Sequence, residues 1–331
     1  MGNREDPRLI ARVARLYYEK KIRQSEIAEQ LGLSQAAVSR LLSLGEKEGI
    51  IKVVVQIPRG VYTDMEEHLA AKYHLKDVVI ADCSVDRESP AMIREIGTCA
   101  ASYVENILRP NDVIGLSSWS TALLAMVDAM APVHRKPGIQ VVQILGGLGT
   151  ASAQNQSTYL ANRLSNLVNG PAYFLPLPAV VLSREAYQAL ITDKSVCNVL
   201  DKFSSVNTAL VGIGDMNPSS LLSASGNVLS EKDLKLLSRN GAVGDILLRF
   251  FDRYGTELDE NLLTNHVISM SLSQLRNVER AIGIAGGLRK FEAIRGALRG
   301  RLINILVTDQ FTAATTRSEA RRVGKECRSR W

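Results

Sequence analysis

Cysteine is scarce in this chain. Its 331 residues include four, Cys83, Cys99, Cys197 and Cys327, far apart and with no CxxC pair. That spacing excludes a disulfide framework and a cysteine zinc site, and it fits a reducing cytosol. Histidine is as sparse: His68, His74, His134 and His266 form no HxxxH or HExxH group, so no metal site is expected. No apolar run approaches the ~18 residues that a membrane helix needs. The opening MGNREDPRLI has no charged stretch leading into an apolar core, so neither a membrane span nor a secretory signal is expected and the reading is cytoplasmic. No GxGxxG fingerprint occurs, and no cofactor is expected.

What remains is ordinary globular material. Hydrophobic residues make up 46% and charged residues 22%, which rules out a disordered or collagen-like chain. At roughly 100–200 residues per domain the length suggests two domains. The net charge of +6 is unevenly spread. Residues 1–57 carry 10 Lys/Arg against 7 Asp/Glu, residues 58–316 carry 24 against 25, and residues 317–331 carry 6 against 2. The large middle is neutral and the excess sits at the two ends. A basic end suits nucleic acid, though this excess alone says little.

The first sixty residues are more specific. Pro7 to Lys21 is predicted to be a helix, with Leu9, Ile10, Val13, Leu16 and Tyr17 on one face. The stretch Gln24 to Leu42 has the spacing of a helix-turn-helix. Ile27, Ala28 and Leu31 point inward on a first helix. Gly32 supplies the turn with tolerance of positive φ, Leu33 plugs it, and Ser34 caps the next helix. Val38 and Leu41 face inward on that second helix, which leaves Gln35, Ala36, Ser39 and Arg40 outward. Together with Ser34 these are the expected DNA-reading residues, Arg40 being suited to guanine or phosphate. Arg23 stands where Ser or Thr would cap better. Gly45 to Gly49 is read as closing the second helix, and Ile50 to Ile57 as a strand forming a wing. The competing reading of this segment is an ordinary helical hairpin.

Pro58-Arg-Gly60 reads as a boundary, giving a DNA-binding domain over 1–57 and a larger domain over 58–316. There apolar strands alternate with helices. Strands are predicted at 78–81, 113–116, 141–145, 173–175, 209–213, 282–285 and 303–307, with helices at 62–74, 91–108, 122–130, 158–168 and 291–298. Such a pattern implies an α/β fold with a mainly parallel sheet covered on both faces. Ligands of open α/β sheets bind beyond the carboxyl ends of the strands, and here those ends are rich in Gly, Ser and Thr. The loop Ser117-Ser-Trp-Ser-Thr121 runs into a helix, where backbone N–H groups and hydroxyls suit a phosphate or polyol. Gly146-Gly147 is followed by polar residues. Asp215 tips one strand, and Asp245 follows the glycines of Gly241-Ala-Val-Gly-Asp245. Arg289 and Lys290 stand in the first turn of a helix, where cations oppose the helix dipole. The plainer alternatives are a helix cap, a tight turn and a solvated face.

In order and spacing these motifs resemble the SorC family of bacterial sugar-responsive transcriptional regulators, over about residues 9–314. The segments that carry the likeness are Gln24–Leu42, Gly115–Thr121, Gly146-Gly147, Val211–Asp215, Gly241–Ile246, Ala285–Lys290 and Asn304–Asp309. The resemblance implies a reader joined to an effector and oligomerisation domain of the kind found in ribose-phosphate isomerase and glucosamine-phosphate deaminase folds. It implies a sugar or sugar-phosphate effector held by Ser117, Ser118, Ser120, Thr121, Asn155, Gln156, Asp245 and Lys290, a double-stranded DNA operator, and a homotetramer built as a dimer of dimers. It departs from the family in Trp119, expected to reshape the site, and in the closing helix after Asp309, expected to be truncated. Residues 317–331 show no periodicity and are read as a non-native addition; the competing reading is a basic tail touching DNA. No catalytic residue is expected. The alternative function is a sugar-phosphate isomerase or deaminase carrying a DNA module, with Asp245 as general base and Lys290 as its electrostatic partner.

Overall fold

The computed structural model describes residues 6–52, 58, 60–85, 89–147, 150–225, 229–259 and 266–317, without the side chains of 151–156, 220, 221 and 225. The chain forms two compact units, Met1–Pro58 and Arg59–Trp331.

In the first unit, α1 (Pro7–Ala14) begins with Pro7 after Asp6, whose carboxylate accepts from the Arg8 N–H at 2.9 Å. The helix does not run regularly to Lys21. It passes into a π-helical turn, Arg15–Glu19, and Lys21 then takes a φ of 57°. The wider turn lets three consecutive residues, Leu16, Tyr17 and Tyr18, rest against the same core, which a 3.6-residue period does not allow. α2 (Gln24–Leu31) and α3 (Gln35–Lys47) follow. Gly32 sits between them with φ 67°, a conformation that costs a side-chain-bearing residue dearly. Arg23 makes no side-chain cap, as expected, and the Ser34 hydroxyl accepts from Ala37 N–H at 3.2 Å. The core is Ile10, Val13, Ile27, Ala28, Val38, Leu41 and Leu42. α3 ends within Gly45–Gly49 as expected, at Lys47, with Gly49 following at φ 73°. Gly45 itself lies inside the helix, buried against Ile10 and Ile51. One expectation changes: residues 50–52 are not a strand, and the rest of the expected wing, 53–57, lies outside the described residues.

The second unit contains α4 (Thr63–Tyr73), β1 (Asp77–Ala81), α5 (Pro90–Ile107), β2 (Val113–Leu116), α6 (Thr121–Ala129), β3 (Gln140–Gln143), α7 (Ala151–Val168) and β4 (Ala172–Tyr173). Next come β5 (Val180–Val181), α8 (Arg184–Ile191), α9 (Lys194–Leu200), β6 (Thr208–Gly212), β7 (Gly214–Asp215), α10 (Ser220–Ser225) and α11 (Glu231–Arg239). It closes with β8 (Ala242–Ile246), β9 (Arg249–Asp252), β10 (His266–Val267), α12 (Leu272–Arg276), β11 (Arg280–Ile284), α13 (Phe291–Arg299) and β12 (Ile305–Asp309). Residues 310–317 are helical, so the segment after Asp309 does form a helix as far as it is described; 318–331 lie outside the description.

Seven strands form one parallel sheet in the order β1-β12-β11-β6-β2-β3-β4. Successive residues alternate between its faces. Ile305 and Val307 pack with α5, α6 and α7, whereas Leu306 packs with α4 and α13; Ile282 and Ala281 divide in the same way. Both faces are therefore covered, which is why the strands read as unbroken apolar runs. All seven strand boundaries lie within two residues of the expected ones; β3 and β4 each end two residues early. Helix α7 starts seven residues earlier than expected, at Ala151, because its first two turns are polar and carry no apolar stripe. The antiparallel sheet β7-β8-β9 was not expected at all. Its strands are only two to five residues long, too short to show a period.

Candidate functional site

The carboxyl ends of β2, β6 and β11 lie along one edge of the sheet. From β2 the chain moves outward to β3, and from β6 it goes on to β11 on the other side. This reversal makes a topological switch point, where a crevice opens between neighbouring loops. The crevice is present, with about 600 Å³ of empty volume partly open to solvent. Ser117, Ser120 and Thr121 line it from the loop after β2, Gly212 and Asp215 from the region of β6, Asp245 from β8, and Lys290 from the turn before α13.

Each wall has a local cause. Ser120 caps α6, its hydroxyl accepting from Leu123 N–H at 3.3 Å, so the first turn of that helix opens on the cleft. The first N–H groups of any α-helix have no partner inside it and carry a partial positive charge. Trp119 is buried, and its indole N–H donates to the Gly146 carbonyl at 2.9 Å. It ties the hydroxyl loop to the double glycine while its ring forms part of the wall.

The opposite wall depends on the small antiparallel sheet. Gly214 pairs with Asp245, and Asp215 with Gly244. A Cβ on Gly214 would run into the Asp245 carboxylate, and one on Gly244 into Ala293 of α13. These two glycines allow β7, β8 and α13 to approach closely enough for the charges at their ends to meet. Asp215 pairs with Arg289, Oδ2 to Nε 2.9 Å, and accepts from Asn217 N–H at 2.9 Å. Asp245 accepts from Leu248 N–H at 3.0 Å. Burial pushes its carboxyl up to about 6; the Leu248 N–H and the Lys290 ammonium pull the other way, and the Asp215 charge adds to the rise. The cleft thus holds two carboxylates and two cations, an arrangement that can donate to and accept from a polyhydroxylated molecule.

Leu247 and Leu248 also line the cleft. They form the two-residue loop between β8 and β9, with φ of 58° and 60°. Hairpin loops of this kind favour Asn-Gly, and a leucine in this region costs roughly 1–2 kcal/mol.

Of the sequence-selected residues, Ser117, Ser120, Thr121, Asp245 and Lys290 share the cleft. Ser118 does not line it: its buried hydroxyl donates to the Leu145 carbonyl at 2.9 Å and braces the loop. Asn155 and Gln156 fall within the first two turns of α7, and their side chains lie outside the description. Arg289 and Lys290 occupy a 3-10 turn, Leu288–Lys290, ahead of α13, not the first turn of the α-helix itself. Asp309, the last residue of the Asn304–Asp309 motif, is fully buried and accepts from Gly287 N–H (2.8 Å), Phe311 N–H (3.0 Å), Thr312 N–H (2.9 Å) and the Thr312 hydroxyl (2.6 Å). It holds the loop that leads to Lys290. Its position at the carboxyl end of a strand was the available signal. For Leu247 and Leu248 there was none, since an apolar pair looks like core.

In the first unit Ser34 begins α3, and Gln35, Ala36, Ser39 and Arg40 are exposed along it, while Val38 and Leu41 are buried. Among the described residues no group of three or more His, Cys, Asp or Glu could hold a metal ion. No described helix is long and apolar enough to cross a membrane.

A family model described as "Putative sugar-binding domain" matches residues 60–316. The chain is 31% identical to the sorbitol operon regulator of Klebsiella pneumoniae, over 95% of this chain and 98% of that one. It is 30% identical to the deoxyribonucleoside regulator of Bacillus subtilis, over 94% and 97%. The crystal structure of full-length SorC from Klebsiella pneumoniae superposes with a TM-score of 0.69 at 29% identity, covering 94% of this chain and 99% of that one. With a helix-turn-helix ahead of a parallel α/β sheet and this match along nearly its whole length, the chain belongs to the SorC family of sugar-binding transcriptional regulators.

Proposed function

We propose that the cleft at the β2/β6 switch point takes a sugar or sugar-phosphate effector, and that effector binding controls the grip of α3 on an operator. The observation that carries this reading is that Ser117, Ser120, Thr121, Asp245 and Lys290, drawn from three distant stretches of sequence, line one cleft. The helix start and hydroxyls of the Thr121 loop suit a phosphate or a row of hydroxyls, and the charged wall completes the hydrogen bonding. The relatives are named as regulators of a sorbitol operon and of deoxyribonucleosides. By analogy this chain serves a carbohydrate catabolic operon from the cytoplasm, and its cleft binds its ligand without converting it.

In the reader, Ser34, Gln35, Ala36, Ser39 and Arg40 meet the major groove. A symmetric assembly, here a homotetramer, then sets pairs of readers on half-sites about 34–36 Å apart or a multiple of that. An effector shifts DNA binding only through a difference in its affinity for the two arrangements of the readers.

Arg40→Ala tests the division of labour. A lost guanine or phosphate contact costs about 1–3 kcal/mol, so operator affinity should fall roughly 5- to 150-fold. The thermal shift produced by an effector should be unchanged. Gel-shift titration and ligand-dependent melting on the same sample check both. If the two activities fall together, the two-module reading fails.

A further inference from the structure

The Leu247–Leu248 loop is the feature of the cleft that a charged sugar site does not require. Both residues are buried at 3% and 5% exposure, both line the cleft, and both hold φ near 60°. A glycine or asparagine would adopt that backbone with less strain. The loop is instead built from the bulkier, apolar residue. Its backbone already serves the site, since Leu248 N–H donates to Asp245. That hydrogen bond needs no side chain at all; the two leucine side chains belong to the main hydrophobic core and bring its apolar edge to the cleft.

We infer that the Leu247–Leu248 loop is the specificity element of the cleft, and that it selects an effector presenting a hydroxyl-free carbon, a deoxy or methyl position, beside the part that Asp245 hydrogen-bonds. This rests on the reading of the cleft as the effector site. A hydroxyl placed against the two leucines loses its water and finds no partner, whereas a methylene or methyl group packs there without loss. Trp119 and Leu145 also line the cleft and add to its apolar surface. The cleft therefore combines charged, hydrogen-bonding groups with apolar ones, and an effector of matching polarity is favoured. An apolar wall discriminates against an added hydroxyl by up to about 10²-fold.

The experiment is calorimetric titration of the full chain with matched pairs differing in one hydroxyl. These are ribose 5-phosphate with 2-deoxyribose 5-phosphate, glucose 6-phosphate with 2-deoxyglucose 6-phosphate, tagatose 1-phosphate with fuculose 1-phosphate, and galactose with fucose. At least one pair should show the deoxy member binding tighter by about tenfold or more. Leu248→Gly should cut that preference to below about threefold by opening the wall. Leu248→Asn, which tolerates the same backbone and offers an amide, should favour the hydroxylated member. Melting curves without ligand show that each variant is folded, and the wild-type preference stands as a test by itself if neither variant folds. Equal binding within every pair that binds, or a preference untouched by both substitutions, overturns the proposal. Asp245→Asn separates the two levels. If no sugar binds the wild type, or if binding survives Asp245→Asn, the effector reading of the cleft falls and takes this inference with it.

Discussion

Asp245→Asn should give a protein that is more stable without ligand and no longer responds to it. The Asp245 carboxyl titrates near 6 in the folded chain, against an ordinary value of 3.8, because burial disfavours its charge. Between those two values the folded state holds more protons than the unfolded one, so wild-type stability falls as pH rises through that window and is level above it. The full difference corresponds to about 3 kcal/mol at pH 7, an upper bound because the cleft is partly open to water. Asparagine keeps an oxygen for Leu248 N–H and carries no charge to desolvate. Ligand-free Asp245→Asn should therefore melt several degrees above wild type at pH 7, at roughly 2–4 °C per kcal/mol for a unit of this size. The gap should close as the pH is lowered toward 4. Effector-dependent stabilisation should disappear at every pH, because the variant has lost the acceptor facing the cleft. Differential scanning calorimetry from pH 4 to 8, with and without a binding sugar phosphate, reads both. A variant less stable than wild type at pH 7 would mean that the carboxylate serves the fold and not the ligand.

Arg280→Ala should do the reverse, weakening the fold and sparing the site. Arg280 and Asp112 form an ion pair at 2.6 Å, with side chains 5% and 3% exposed. Arg280 also donates to the Ile107 carbonyl at 2.7 Å, and Asp112 accepts from Arg109 N–H at 2.7 Å. The pair joins the start of β11 to the residue before β2, spanning β6, which lies between them. It also secures the end of α5. Removing the guanidinium leaves a buried carboxylate without its counter-charge, at a cost of about 3–5 kcal/mol. The double variant Arg280→Met, Asp112→Asn should recover much of this, because no charge is then stranded. The cleft lies at the other end of the same strands, so the affinity of the folded fraction for effector should stay within about twofold. Urea unfolding with an unchanged slope and a lower midpoint would show a simple loss of stability. An effector affinity that falls in step with stability would mean the two ends of the sheet are coupled.

The two substitutions divide the second unit by function. At the amino ends of its strands, the buried Arg280–Asp112 ion pair holds the sheet together. At the carboxyl ends, charges are left close together, partly exposed and partly desolvated, and a leucine pair is held in a backbone better suited to glycine. Strain and desolvation of this kind persist where the surrounding structure enforces them, and they concentrate at ligand sites.

Much of this was present in the order of residues. Period-three-and-four apolar spacing, Gly32 and Ser34 define the reader because helix faces, turns and caps are local properties. Unbroken apolar runs ending in Gly, Ser and Thr announce a parallel sheet with its ligand edge, since a strand buried on both faces has no reason to alternate. Strand ends, glycine turns and a helix start drew attention to the Ser117–Thr121 loop, Asp245 and Lys290 separately, and the family likeness then joined them as one effector set. The sequence did not reveal that Ser118 turns inward to Leu145, that α7 begins at Ala151, or that Asp309 holds the loop before Lys290, because each depends on a neighbour far away in the chain. Nor did it show that Leu247 and Leu248, which belong to the core, also line the cleft. Their place is set by a hairpin too short to have a pattern of its own, docked where Gly214 and Gly244 let β7, β8 and α13 close together. Local periodicity determined the elements and the edge of the sheet that binds. Only packing across the switch point decided which side chains face the cleft, because close approach between distant segments is a property of the folded chain and not of any one stretch of it.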